Sequence, residues 1–352
     1  MVRLFNQEYS RAELLRRVGD IAQVGGVCVS ELLDGNARGV RAAEFRTGSG
    51  LRFTVLIDRG MDIGTADFAG RPLAWVSPTG AAHPAYHSLQ KRGWMRTFHG
   101  GLMNGGGLSN IGNACTDDGE ELVQHGYLSH TPASHLNCGG DWRGDEYLMW
   151  AEGHMREAVA KGCNLALTRR ISASLGGNSI HIEDRVVNEG FLPAPHQMLY
   201  HCNFGFPVIS PGTELLLATE RTWPRDKGVD ISDHARMGEP VHGDKGKVAY
   251  HVPRPDGAGF ANAAWVNRAL GFGAYLRFRT AELPRMAQWY MRAEGYYLAA
   301  LEPMTGSVEG RDKDRARGWL RSLEPGEATE YRLEIGVLTN AKAIAAWEAN
   351  NT

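Results

Sequence analysis

The chain has 352 residues, of which 43% are hydrophobic and 22% charged, a composition typical of a folded globular protein rather than a disordered one. The formal net charge of -2 provides no electrostatic attraction to nucleic acid or to an anionic membrane, so we expect neither as a partner. No apolar run approaches the roughly 18–20 residues that a membrane-spanning helix needs, and the first residues contain no apolar signal core.

The number and spacing of the cysteines indicate the redox state of the cell compartment in which the protein works. The five cysteines are an odd number, and no two of them have CxxC spacing. This pattern argues against a disulfide framework and against a structural zinc site. It is typical of a reducing environment, and we therefore expect a cytoplasmic protein.

The first predicted element is a short helix near the N-terminus. Ser10 is a suitable N-cap, Glu13 stands at the capping-box position, and Leu14 and Val18 belong to an apolar helical stripe. We expect residues 1–26 to form an N-terminal helical extension.

Strand patterns dominate after this helix. Residues 38–47 and 51–58 flank a Gly-Ser-Gly turn and predict a β-hairpin. Residues 165–175 and 179–188 flank a Gly-Gly-Asn turn and predict a second one. In the second hairpin apolar and polar residues alternate, as in an antiparallel strand that is buried on one face.

The C-terminal third continues the pattern. Strand-like runs occupy residues 271–280, 286–291, 296–302 and 329–338, and a final helix is predicted at about 341–349. No low-complexity linker and no clear repeat interrupts these runs. They therefore indicate an all-β protein in which antiparallel sheets pack on one another.

The predicted architecture is one large antiparallel β-sandwich with a short N-terminal helix and minor helical decorations, and we expect residues 1–352 to form a single domain. Residues 83–112 are rich in glycine and predict a long loop over the mouth of the sheet, where function tends to concentrate. The glycines of this segment match no phosphate-binding motif and are interpreted as turns.

Three segments each place one ionisable side chain at or near the end of an apolar, strand-like run. The side chains are His125, His201 and Glu302. Adjacent residues of a strand point to opposite faces, so if His201 faces a cleft, Cys202 lies in the core. Two imidazoles and one carboxylate around a common cleft could move protons to and from a sugar oxygen. Each histidine alone is weak evidence, and the argument rests on the joint context.

Glu302 is the most informative of the three. It follows the apolar run at 296–301, where a carboxylate is unexpected unless it has a function. Shelter in such a place raises the pKa of a carboxyl group by desolvation, which suits a general base near neutral pH. The structural alternative is a salt bridge with Arg311, Arg315 or Arg317.

Arg59, Gln288 and Trp289 are further candidates for binding a sugar. Arg59 ends a strand, where it either pairs with Asp58 or Asp62 or offers its planar donor group to sugar hydroxyls. An amide such as Gln288 can bind hydroxyls, and the ring of Trp289 can stack on the apolar face of a pyranose, unless it belongs to the core. Trp94, Trp142 and Trp223 are candidates that no spacing singles out.

The order of these landmarks resembles the aldose 1-epimerase (galactose mutarotase-like) superfamily, over about residues 40–338. The landmarks are Asp58-Arg59-Gly60, His125-Gly126, Tyr200-His201-Cys202-Asn203-Phe204 and Leu301-Glu302-Pro303-Met304-Thr305-Gly306. The chain is most similar to a bacterial branch of that superfamily, in which segments like residues 56–63 and 107–112 recur.

The resemblance implies a twisted β-supersandwich and an isomerase that needs no cofactor and acts on a free sugar or sugar derivative. In the family a glutamate takes the proton of the anomeric hydroxyl, a histidine protonates the ring oxygen, and C1 rotates in the open form before the ring closes. Carried over, Glu302 matches the base, His201 the acid, and His125 the second histidine, which helps to bind or orient the sugar. Arg59 matches the substrate-binding arginine.

The remaining substrate-binding residues that we expect are His99, Asn203, Gln288 and Trp289.

Other parts of the family pattern fit less closely. Ordinary mutarotases have an Asn-Arg pair near the first histidine and a binding aspartate in the middle of the chain. Asp226 and Asp230 are possibilities for the aspartate. A related reaction at C1 and C2 would use the same acid–base pair, and the sequence favours no particular sugar and no oligomeric state.

Two other functions remain open at this point. In the first, a divalent metal lies between His125, His201 and Glu302, with His99 as a further ligand, and the enzyme is an isomerase, epimerase or lyase that acts on a keto sugar. In the second, the chain is a non-catalytic carbohydrate-binding or sensing protein. Only a catalyst needs His201 and Glu302 to lie close together, within about 10 Å.

Overall fold

The computed structural model describes residues 1–90 and 93–351. Its strands are β1 Val2–Leu4, β2 Gln7–Tyr9, β3 Gly26–Glu31, β4 Arg41–Arg46, β5 Leu51–Leu56, β6 Asp62–Phe68, β7 Arg71–Pro72, β8 Asn104–Leu108, β9 Cys115–Asp117, β10 Glu120–Leu122, β11 Ser134–Arg143, β12 Glu146–Ala158, β13 Asn164–Ser174, β14 Ser179–Asn188, β15 Ala194–Phe204, β16 Glu214–Leu217, β17 Thr219–Pro224, β18 Lys247–Pro253, β19 Phe260–Asn267, β20 Phe272–Arg279, β21 Arg285–Ala293, β22 Tyr296–Met304, β23 Arg321–Leu323 and β24 Ala328–Leu338. Its α-helices are α1 Arg11–Leu15, α2 Arg311–Ala316 and α3 Ala341–Asn351. Single 3-10 turns lie at Ile21–Gln23, Gly35–Ala37, Pro84–Tyr86, Trp94–Arg96 and Leu128–His130.

The named strands pair antiparallel in three larger sheets and two hairpins. The largest sheet has eight strands in the order β11-β12-β13-β14-β24-β20-β19-β16. The second has the order β17-β18-β21-β22-β15-β23, and β8 pairs with β15 at its centre. The third sheet has the order β3-β4-β5-β6-β7. This arrangement confirms the predicted all-β antiparallel class and both predicted hairpins.

The predicted N-terminal helix is α1, and its capping box is present. The Ser10 side chain accepts from the backbone N–H of Glu13, while the Glu13 carboxylate accepts from the backbone N–H of Ser10. Two short strands, β1 and β2, precede it, so residues 1–26 are not wholly helical. The assignment of residues 1–352 to a single domain stays a prediction.

The main core lies between the eight-stranded sheet and the sheet that contains β15. Ile180 and Ile182 of β14 contribute from one side, and Tyr200 and Cys202 of β15 contribute from the other. Alternate residues of β15 point away from this core, and Leu199 belongs to a separate apolar cluster on the opposite face. His201 lies on that opposite face, as the alternation along the strand predicts.

The segment 83–112 is not the long loop that its glycines predict. Its last part contains β8, which pairs with β15 and opposes Tyr200 and His201 through Gly105 and Asn104. A side chain at Gly107 would place its Cβ 2.6 Å from the carbonyl oxygen of Gln197. Glycine therefore lets two backbones approach each other inside a sheet, and a glycine-rich strand carries no alternating signature in the sequence.

Candidate active site

A cavity of about 1000 Å³ lies over the outer face of β15, β21 and β22. Its lining includes His125, His201, Trp289 and Glu302, four of the residues that the sequence singles out. Its volume is at the upper end of the range of about 300–1,000 Å³ that is typical of small-molecule sites.

The pairing of β15 with β22 brings His201 and Glu302 together. Cys202 pairs with Leu301 and Leu199 with Met304, so His201 stands opposite Glu302 in the same register. Both side chains are buried and both point away from the main core. The Nε2 atom of His201 lies 3.4 Å from Oε1 of Glu302. The separation is well inside the distance of about 10 Å expected for a cooperating acid–base pair.

Aromatic rings enclose this pair. Around the His201 ring, Phe98 lies 5.4 Å away, Trp289 5.8 Å and Trp94 6.3 Å, measured between ring centroids. Their apolar surfaces keep water away from the two ionisable groups. Any charge that develops at the pair is therefore poorly solvated.

The apolar surroundings raise the pKa of Glu302 and lower the pKa of His201. Desolvation raises the pKa of Glu302 from its ordinary value of 4.5 to about 8, although the positive charge of Arg225 acts against this rise. Desolvation and then the nearby His125 lower the pKa of His201 to about 3. Both changes favour the neutral forms of the two groups. At pH 7 the His201 ring is therefore neutral and the carboxyl group of Glu302 is mostly protonated. This carboxyl proton is the one that the pair can share.

His125 reaches the same cavity from the loop before the 3-10 turn at Leu128–His130. Its ring centroid lies 5.8 Å from that of His201 and 4.6 Å from that of Trp94. The backbone N–H of Gly112 donates to Nδ1 of His125 over 3.3 Å. Desolvation lowers the pKa of His125 to about 4, so the ring is neutral at pH 7. Because Nδ1 accepts, the ring proton is on Nε2, and His125 is a hydrogen-bond donor.

Arg59 does not take the predicted position in the cavity. Its side chain is fully buried, and it donates to the carbonyl oxygens of Ser129, Ala82 and Thr97 over 2.6, 2.7 and 2.9 Å. Desolvation lowers its pKa to about 10. The sugar-binding role of Arg59 stays a prediction, and in this structure its donors stabilise the loops beside the cavity.

Replacement of Arg59 by methionine tests this structural role. We expect the free energy of unfolding to fall by about 1–3 kcal/mol, because buried carbonyl oxygens lose their donor. Urea unfolding measures the change. In the folded fraction, KM for a sugar substrate should stay close to the wild-type value. A large rise in KM with unchanged stability would instead support Arg59 as a binding residue.

Three other predicted substrate-binding residues also lie outside the described part of the cavity lining. His99 contacts the side chain of Asn104, and desolvation lowers the pKa of His99 well below its usual value. Asn203 donates to the carbonyl oxygen of Gly101, and Gln288 donates to that of His234. All three side chains are buried. Nothing in the sequence around these three residues indicates whether their side chains line the cavity or bond to the protein behind it.

The structural alternative for Glu302 does not apply. Arg311 and Arg315 both pair with Asp117, and Arg317 pairs with Glu309. Asp226, one candidate for the family's binding aspartate, instead pairs with Arg225. Within residues 1–90 and 93–351, no group of three or more His, Cys, Asp or Glu side chains is arranged to hold a metal ion.

Phe98, Arg225 and Lys245 line the cavity but were not selected from the sequence. Trp94 also lines it, whereas the sequence left it among several tryptophans without distinction. Phe98 stacks on Trp94 with a centroid distance of 4.3 Å. The four-residue spacing of these two rings within a glycine-rich segment is a weak signal that could have found them.

A protein-family comparison matches residues 37–337 to a family described as a domain of unknown function, DUF4432. The chain belongs to the DUF4432 family. A comparison of this DUF4432 protein with curated proteins gave no match.

Solved structures identify the fold of this DUF4432 protein. A protein from Klebsiella pneumoniae subsp. pneumoniae, provisionally named an aldose 1-epimerase, matches with a TM-score of 0.86 and 24% identity, over 92% of this chain and 86% of that chain. A galactose mutarotase-like protein from Clostridium acetobutylicum matches with a TM-score of 0.64 and 12% identity, over 90% and 99%. A galactose 1-epimerase from Lactobacillus acidophilus matches with a TM-score of 0.58 and 10% identity, over 89% and 98%.

These matches confirm the predicted galactose mutarotase-like fold for the DUF4432 chain. At such low identity they establish the fold alone, because one fold supports many functions. Every helix in the described part of the chain is too short or too polar to cross a lipid bilayer.

Proposed function

We propose that this DUF4432 protein is a carbohydrate epimerase of the aldose 1-epimerase type. It opens and recloses the ring of a free sugar or sugar derivative at the anomeric carbon. The observation that carries the proposal is the distance of 3.4 Å between Nε2 of His201 and Oε1 of Glu302 inside a cavity walled by aromatic rings.

The first step needs one proton to leave the sugar and another to enter it. The ionised carboxylate of Glu302 takes the proton of the anomeric hydroxyl, whose O–H electron pair forms the C1 carbonyl. The bond between C1 and the ring oxygen breaks, and the ring oxygen takes the proton of His201 Nε2. Rotation about the C1–C2 bond and the reverse steps give the other anomer.

The reactive charge state needs no proton from solvent. At pH 7 the pair already holds one proton, on Glu302, and its transfer to Nε2 of His201 gives an ionised carboxylate beside an imidazolium. The separation of 3.4 Å is longer than an ideal hydrogen bond, as is common before a substrate is bound. Sugar hydroxyls that contact the pair would stabilise the charged form.

Other lining residues orient the sugar. His125 offers its Nε2 proton as a donor to a ring or hydroxyl oxygen, since Gly112 occupies Nδ1. Trp289 presents an aromatic surface that can stack on the apolar face of a pyranose. The same rings exclude water and so strengthen the electrostatic interactions inside the cavity.

A screen of sugars tests the proposal. One-dimensional NMR of aldoses, ketoses and uronates would measure faster exchange between anomers, or the slow appearance of an isomer, when protein is added. We expect at least one sugar to exchange faster with catalytic amounts of protein. Saturable binding without faster exchange over the whole panel would contradict the proposal and favour a sugar-binding protein.

The pH dependence of this activity follows from the one-proton pair. We expect kcat/KM to be level between about pH 5 and 7 and to fall as the pH rises through about 8, where Glu302 loses the shared proton. Rates measured by NMR exchange in constant ionic strength check this. An activity that increases through pH 8 would instead mean that ionised Glu302 acts without an acid partner.

A further inference from the structure

We propose that Asn203 is a positioning residue that holds the His201 imidazole in the tautomer with its proton on Nδ1, so that Nε2 presents its lone pair to Glu302. The catalytic meaning of this assignment rests on the proposed function. The assignment itself concerns the resting protein and can be tested without a substrate.

The backbone places the two side chains side by side. His201 and Asn203 are two residues apart in β15, so both point to the face of the strand opposite the core residue Cys202. Both side chains are buried, and solvent therefore cannot satisfy their polar atoms. Each polar atom needs a partner within the protein.

The amide orientation of Asn203 follows from its donors. Its Nδ2 group donates to the carbonyl oxygens of His201 and Gly101 over 3.0 and 3.1 Å, and contacts Oδ1 of Asn104 at 3.3 Å. These three acceptors surround the nitrogen end of the amide. A flipped amide would place its oxygen against three other oxygens, so Oδ1 must be the remaining end.

Two buried atoms are left over at this point. Within residues 1–90 and 93–351, neither Nδ1 of His201 nor Oδ1 of Asn203 makes a hydrogen bond, to each other or to any other group. One is a ring nitrogen that can carry a proton, and the other is a carbonyl oxygen that can only accept. A small rotation of the two side chains would let these atoms satisfy each other, but only if the proton is on Nδ1.

The electrostatic surroundings agree with this pairing. Desolvation, followed by the neighbouring His125, lowers the pKa of His201, whereas the Asn203 side chain and then the backbone of His201 itself act in the opposite direction and raise it. The ionisable groups that face the ring are Glu302 and His125, and Arg225 acts on Glu302 from further along the cavity. An acceptor at Nδ1 thus partly offsets the cost of protonating Nε2.

The two histidines then have complementary tautomers. His125 accepts at Nδ1 from Gly112 and carries its proton on Nε2. In the proposed tautomer, His201 carries its proton on Nδ1 and can accept a proton at Nε2. One ring can therefore donate to the sugar, and the other can receive the Glu302 proton and pass it on. A His201 ring with the opposite tautomer would have no free lone pair for that proton.

The direct test is ¹⁵N NMR of the histidine rings in the wild-type protein at pH 7. The His201 signals are assigned by their loss in His201→Gln. We expect the proton on Nδ1 and a nonprotonated Nε2. A proton on Nε2 would overturn the assignment, whatever the activity of the protein.

Asn203→Asp gives a second test that a purely structural role would not pass. A carboxylate beside Nδ1 should raise the pKa of His201 by about one pH unit or more, as followed by the ring C–H shifts. Asn188→Asp is the matched control, because Asn188 is also buried and donates to two carbonyl oxygens, those of Leu192 and Leu323. An unchanged pKa of His201 in folded Asn203→Asp would contradict the proposal.

The outcomes separate this inference from the proposed function. A proton on Nδ1 together with no activity on any sugar would support the positioning role and refute the epimerase. Faster anomer exchange together with a proton on Nε2 would support the epimerase and refute the positioning role.

Discussion

Replacing Glu302 by glutamine is expected to slow sugar-ring opening by about 10²–10⁴-fold, the usual contribution of one acid–base group. Glutamine keeps the shape of the side chain but cannot hold or release the shared proton. The sugar still fits, so the loss should appear in kcat rather than in KM. NMR exchange rates over a range of sugar concentrations separate the two constants.

His201→Gln should cause a loss of similar size, because the two groups exchange one proton between them. Residues that act as a unit are strongly non-additive, so the double variant should be little slower than either single variant. A double variant whose losses multiply would mean that Glu302 and His201 act independently.

Two surface substitutions provide matched controls. Glu152 pairs with Arg170, and His181 lies on β14, both in the eight-stranded sheet on the far side of the core. Glu152→Gln and His181→Gln make the same chemical changes as the active-site variants and should leave the exchange rate unchanged. Wild-type exchange rates in Glu302→Gln across the sugar panel would remove Glu302 from the mechanism.

Glu302→Gln is also expected to stabilise the protein at alkaline pH. The folded-state pKa of Glu302 is about 8 and its ordinary value is 4.5, so between these values the folded chain binds more protons than the unfolded chain. In that window the free energy of unfolding falls as the pH rises, by about 4–5 kcal/mol at most for this group. Glutamine does not titrate and avoids this loss.

Urea unfolding at about pH 5, 7 and 9 measures the effect. The difference in unfolding free energy between Glu302→Gln and the wild type should grow from pH 5 to 9. On the acid side both proteins lose stability as the pH falls from 6.5 towards the lowered pKa values of His125 and His201, about 4 and 3. Parallel pH curves for the variant and the wild type above pH 5 would mean that Glu302 is solvated in the folded protein.

These two predictions together describe a trade between stability and activity. The aromatic walls that desolvate Glu302 make it costly to ionise, and under the proposed function the same walls would keep water from the reacting sugar. A binding protein gains nothing from a buried carboxyl group that weakens it at pH 8. The pKa of Glu302 is therefore as informative about function as the contacts that it makes.

Several structural features were predictable from short stretches of the chain. The capping box at Ser10 and the two hairpins depend on residues a few positions apart, and the structure contains them. Alternation along β15 placed Cys202 in the core and His201 on the other face. The apolar run before Glu302 indicated a sheltered carboxyl group, and the pKa of Glu302 is raised by burial.

Other features were not predictable because their determinants are distant in the chain. Arg59 and Gln288 have the chemistry of sugar-binding residues, but folded loops and strands supply acceptors that occupy their donors. Phe98 and Trp94 have no strand or helix pattern, yet they form a wall of the cavity. Whether a polar side chain is free to bind a ligand depends on the hydrogen-bond acceptors around it, and those acceptors come from distant parts of the sequence.

The sequence alone determined which residue types end apolar strands and which face of each strand they occupy, because side-chain direction alternates with every residue. Only the tertiary structure decided that His201 stands opposite Glu302, because the register between β15 and β22 is set by packing of both strands against the main core. It also decided the pKa values of both groups, because the rings that exclude water come from separate segments of the chain.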